Sequence, residues 1–119
     1  MTPDDLRRAA LALPEAYEDL HRGKPAFRVK TRIFAMLAQS GGQGFLGLDR
    51  AGVAVLKLDR EDQLNMAAAH PGAVTPTETY GHHGWTYVRL ADLDAETLAL
   101  LVRLAWTHVA PKRLSRAPA

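Results

Sequence analysis

"GKPAFRVKTRIFAMLA", Gly23 to Ala38, decides the fold. In its first half Phe27 and Val29 alternate with Arg28 and Lys30, the period of a half-buried strand. From Arg32 to Ala38 it turns into a continuous apolar run containing Ile33 and Phe34, which reads as a central strand. Arg32 extends the polar row of Arg28 and Lys30 unless Lys30 and Thr31 form a hairpin turn.

Downstream, "VAVLKLD" (Val53 to Asp59) reads as another strand, with Val53, Val55 and Lys57 on one face. The glycine-rich stretch between, Gln39 to Gly52, is a connection with a short strand at Phe45 to Leu48. Upstream, Thr2-Pro3-Asp4-Asp5 is a helix start, with a capping hydroxyl, a proline for the first turn and two acids at the positive helix end. Leu6, Ala9, Ala10 and Leu13 supply the apolar stripe, and Pro14 stops the helix. Asp59 to Asp62 resembles a cap and opens a short helix through Ala69, which His70-Pro71-Gly72 ends. A polar segment with Pro76 leads to "YGHHGWTYVRL" (Tyr80 to Leu90), where Trp85, Tyr87 and Val88 favour a strand. Asp94-Ala95-Glu96 starts the last helix. Leu98, Leu101, Val102, Ala105 and Val109 form its stripe, Trp106 lies beside it, and Pro111 ends it. Residues 110–119 read as a frayed basic tail.

The order of periodicities predicts a single α+β domain over residues 1–119. A largely antiparallel sheet carries the N-terminal and C-terminal helices on one face. The chain of 119 residues is long enough to bury roughly two thirds of its unfolded surface. It has no cysteine, which rules out disulfides and thiolate metal sites and permits a cytoplasmic location. Its first residues lack the apolar core of a signal peptide. The most apolar stretch, Leu98 to Trp106, is short and interrupted by Arg103, so no membrane partner is expected. The net charge of +2 is a mild lean toward polyanions.

His82 and His83 are the first candidates for chemistry. Neighbours on a strand point to opposite faces, so they could share a metal only in a turn, and zinc would need further ligands. His21, His70 and Glu78 are available, but the spacing does not bring them together. The expectation is a polar turn, without metal or cofactor. Gly42 to Gly47 satisfies G-x-G-x-x-G, yet turn and strand follow it where a phosphate-binding loop needs a helix. Only two serines, Ser40 and Ser115, are present, neither in a triad-like setting. Glu15, Glu18 and Asp19 could do acid–base work, but spacing alone does not place them. The basic constellation is richer. Lys24, Arg28, Lys30, Arg32, Lys57 and Arg89 would build a positively charged sheet edge or wing, with Trp85 and Tyr87 available to stack or brace. Set against this is an ordinary solvated strand face opposite Phe27 and Val29, with Trp85 in the core.

Taken in order, "LPEAYED", "GKPAFRV", "RIFAMLA", "VLKLDRED", "HPG" and "HHGWTYVRL" resemble the MmcQ/YjbR family of small bacterial proteins, and the resemblance covers nearly the whole chain. It implies a compact fold of the CyaY/frataxin type and DNA binding through a double-wing arrangement. One departure is the segment Gly41 to Gly52, longer than the family's usual short link. A frataxin-like iron role would want an acidic first helix, and here Arg7 and Arg8 follow Asp4 and Asp5. The leading expectation is therefore a cytoplasmic DNA-binding module, monomeric by default. The alternative is a module that binds a protein or small ligand in a pocket of Tyr17, His82, His83 and Trp85. A third reading is an enzyme using His82 or His83.

Overall fold

The structure, a computed structural model, describes residues 1–37 and 52–115. The expected strand at Phe45 to Leu48 and the glycine pattern at Gly42 to Gly47 lie outside them. Helix α1 (Pro3–Leu11) is followed by strands β1 (Tyr17–His21), β2 (Lys24–Val29), β3 (Arg32–Leu37) and β4 (Val53–Lys57). Then come α2 (Arg60–Ala69), β5 (Val74–Pro76), β6 (Trp85–Arg89), α3 (Ala95–Val109) and the short α4 (Lys112–Ser115). Among the described residues the strands form one sheet in the order β1-β2-β3-β4-β6-β5, every neighbouring pair antiparallel.

The start of α1 is built as its sequence predicts. Thr2 Oγ1 accepts from the Asp5 amide, and Asp5 accepts from the Thr2 amide, a reciprocal cap. The helix ends at Leu11, so Leu13 lies beyond it, partly buried against the core. Asp59 and Asp94 cap α2 and α3. α3 lies across β3 and β4, and α1 packs beside it. Together they bury Phe27, Val29, Phe34, Leu56 and Val88 of the sheet under Leu6, Leu98, Leu101, Val102 and Trp106. Trp106 is fully inside, and its indole N–H donates to the Pro14 carbonyl at 3.1 Å. That bond satisfies the indole's polar group and ties α3 to the turn after α1.

Two strands were not expected. β1 is an edge strand whose first four residues are all exposed, so it carries no alternation to read. β5 is three residues long and ends at Pro76. The β2–β3 connection is a two-residue hairpin at Lys30 and Thr31, both with positive φ (52° and 68°). This is the geometry of a type I′ turn, which normally takes Asn-Gly. A β-branched threonine there is strained. The Arg28 guanidinium donates to the Thr31 carbonyl at 2.8 Å and braces the turn. A bulge beside Phe27 and Arg28 shifts the β2–β3 register. Residues 112–115 form a helical turn, with Arg113 paired to Glu15. Among the described residues no helix is long and apolar enough to cross a membrane.

Candidate functional site

With the helices on one face, the other face of the sheet is left open among the described residues. Met36, Val55 and Tyr87 form a cross-strand row there. Val53, Val55 and Tyr87 cluster apart from the main core, which places them on the opposite side. A groove of about 340 Å³ lies over this row. Its floor is Ile33, Met36, Val55 and Tyr87. One wall is the β1–β2 turn with His21, Arg22 and Lys24. The other is the segment Thr77 to Tyr80, with Trp85. That second wall is drawn over the sheet by the Tyr87 hydroxyl, which donates to Glu78 at 3.1 Å.

A second feature sits at the end of the sheet marked by the β2–β3 hairpin. Lys30 is at the hairpin tip and Arg32 begins β3, both exposed. Lys57 closes β4 on the same end, since it pairs with Trp85 at the start of β6. Its ammonium donates to the His83 carbonyl at 2.6 Å and lies 5.1 Å over the Trp85 ring. Burial, and then repulsion from Arg32, hold the Lys57 ammonium below the ordinary lysine range. Among the described residues Lys30, Arg32 and Lys57 have no carboxylate partner.

The six basic residues singled out from the sequence thus divide. Lys30, Arg32 and Lys57 share one end of the sheet. Lys24 is on the groove wall at the other end of β2. Arg28 is held by Asp19 at 2.9 Å and by the Thr31 carbonyl. Arg89 is at the far end of β6, 3.5 Å from Asp92. The straight row of Arg28, Lys30 and Arg32 is not formed, because Lys30 and Thr31 are the turn. The pocket residues divide as well. Trp85 lines the groove, whereas Tyr17, on the edge strand, and His82 and His83 do not.

The histidines occupy a single 3-10 turn, Gly81–His83, exposed, with ring centroids 4.0 Å apart. Among the described residues no group of three or more histidine or acidic side chains could hold a metal. The glycines around them are the constrained positions. At Gly84 φ is 96°, and a Cβ would stand 2.0 Å from the Leu58 carbonyl oxygen. A Cβ on Gly81 would meet that of Pro76 at 2.8 Å. From α2, the wholly buried Gln63 side-chain amide donates to Thr86 Oγ1 at 2.9 Å and to the Trp85 carbonyl at 3.2 Å. Thr86 in turn donates to the Gly84 carbonyl at 2.9 Å. Arg60 donates to both the Gln63 side-chain oxygen and the Gly81 carbonyl. A buried amide with every group matched rigidifies its surroundings. Nothing in the sequence marks Gln63, beyond a polar residue at a helical position that turns out to face inward.

Fold and sites together define a small α+β protein with one antiparallel sheet, helix-covered on one face and grooved on the other. The chain belongs to the YjbR family, whose model matches residues 11–108, from the end of α1 through nearly all of α3. It is also similar to the Deinococcus radiodurans protein DR2400, a crystal structure carrying the domain DUF419. That likeness has a TM-score of 0.70 at 26% identity, over 97% of this chain and 83% of that one. No curated protein matches the chain.

Proposed function

We propose that the chain binds duplex DNA by contacts to the phosphate backbone at the β2–β3 hairpin end of the sheet. The observation that carries this reading is the gathering of Lys30, Arg32 and Lys57 there without a carboxylate among the described residues to neutralise them. Uncompensated lysine and arginine on an exposed hairpin meet phosphates and release the counterions condensed on them. Such contacts set position and read little sequence, so binding is weak and largely non-specific. Arg28 contributes by bracing the turn from Asp19 rather than by touching DNA. A phosphate beside Lys57 would offset the repulsion from Arg32 that disfavours its charged form. A chain without cysteine fits a cytoplasmic setting for such a role.

A salt-dependent titration with duplex DNA tests the reading. Three neutralised phosphates give a slope of log affinity against log salt near −2.7, from about −0.9 each. Lys30→Ala together with Arg32→Ala is expected to reduce that slope by about 1.8. Arg28→Ala is expected to leave it unchanged. No binding at low salt, or a slope untouched by the double substitution, refutes the proposal.

A further inference from the structure

The groove on the open face takes no part in the proposed DNA contact, and its walls differ in charge. His21, Arg22 and Lys24 stand on one wall, and among the described residues none of them has an ion-pair partner. Neighbouring acids cannot serve them, because Glu18 is taken by Arg7 and Asp19 by Arg28, each at 2.9 Å. Glu78 stands on the opposite wall, fixed by the Tyr87 hydroxyl. Between the walls the floor is apolar and aromatic, with Met36, Val55, Tyr87 and the flanking Trp85. A volume of about 340 Å³ is at the small end of the range for ligand sites, roughly 300–1,000 Å³.

We infer that this groove is a binding site for a small aromatic carboxylate. The carboxylate faces Lys24, Arg22 and His21, and the ring lies on Met36, Val55 and Tyr87 beside Trp85. Polarity fixes the orientation, since Glu78 repels the carboxylate from the far wall. A hydroxyl on the distal edge of the ring donates to Glu78, so a hydroxylated ligand binds more tightly than its unsubstituted parent. Ring and charge are both required. A flat apolar body wins the area of the floor, and a charge-assisted bond to the lysine adds direction and strength. Duplex DNA, a stiff and highly charged rod, does not enter a groove of this size, so the two sites are separable.

Cinnamate, its neutral analogue cinnamamide, and its hydroxylated form p-coumarate serve as probes. Each is titrated into the uniformly nitrogen-labelled protein and followed by proton–nitrogen correlation spectra. Cinnamate is expected to shift the Trp85 indole signal and the Met36 and Tyr80 amides saturably, with a dissociation constant of about 1 mM or tighter. The Trp106 indole, buried on the other side of the sheet, stays still. Cinnamamide binds about tenfold more weakly, and p-coumarate more tightly than cinnamate. Lys24→Ala, a substitution at a half-exposed site that leaves the fold intact, weakens cinnamate about fivefold. Lys24→Arg restores it, and Arg32→Ala has no effect. The inference falls if cinnamate produces no saturable shift in the groove, if cinnamamide binds as well as cinnamate, or if Lys24→Ala changes nothing.

Discussion

The two faces of the sheet are made by the same strands and obey different rules. On the helix side Phe27, Phe34 and Leu56 are sealed under α1 and α3. On the open side Met36 and Val55, each one residue from the buried pair Ala35 and Leu56 along β3 and β4, stay partly exposed in a groove whose walls carry charge. Alternation along a strand sends neighbouring side chains to opposite fates. One face uses its apolar area for folding, and the other keeps it within reach of a ligand.

A paired substitution tests this division most sharply. Phe34→Ala removes a fully buried ring and is expected to cost about 3–5 kcal/mol in chemical denaturation. Met36→Ala, on the groove floor, is expected to cost less than about 1.5 kcal/mol, because much of its area is never withdrawn from water. Equal costs would mean that the open face is core after all. The next effect concerns the turn that leads into β6. Gly84→Ala combines a left-handed backbone with a Cβ 2.0 Å from the Leu58 carbonyl oxygen, and about 3 kcal/mol should be lost. Gly72→Ala has similar backbone geometry but meets nothing within 4 Å, and about 1 kcal/mol is expected. Thermal melts of the two variants that coincide would show that the clash is relieved. The smallest effect lies at the helix ends on the covered side. The Asp5 carboxyl is held below its ordinary range by the Thr2 amide and by Arg8, and the Asp94 carboxyl by Thr97. A carboxylate whose pKa is lower folded than unfolded adds stability above its unfolded value, near 3.9, and loses it as pH falls through the folded one. Melting temperature should therefore decline below about pH 4, and less steeply when both positions are asparagine, which still caps but does not titrate. Superimposable pH profiles for the wild type and that double variant would contradict this.

The covered face was legible in the sequence and the open one hardly at all. Phe27, Val29, Leu98 and Leu101 announce themselves by period, because burial on one side imprints a regular pattern. Helix starts at Thr2, Asp59 and Asp94 were equally plain, since capping is local chemistry. β1 left no trace, because an edge strand with four exposed residues has nothing to alternate. The turn at Lys30 and Thr31 was legible only as an alternative to a straight basic row, because neither residue favours positive φ and the brace from Arg28 is a tertiary contact. The groove is assembled from residues some fifty positions apart along the chain, Lys24 and Glu78 among them, so no local window contains it. "HHG" attracted attention for its histidines, yet the physical demand falls on Gly81 and Gly84 beside them.

The borders of the sheet bear on how the molecule behaves in company. An open row of backbone donors and acceptors at a rim invites the strand of another molecule, the first step toward fibres. At one rim β5 offers only three residues and ends in Pro76, which has no N–H to give. At the other, β1 carries Glu18 and Asp19, locked in place by Arg7 and Arg28. A second copy laid antiparallel along β1 would bring acid against acid in the register that best aligns the two backbones. The acids that hold this strand to its own fold thus also keep strangers from extending it, so their replacement by neutral residues would show first as turbidity in concentrated solution.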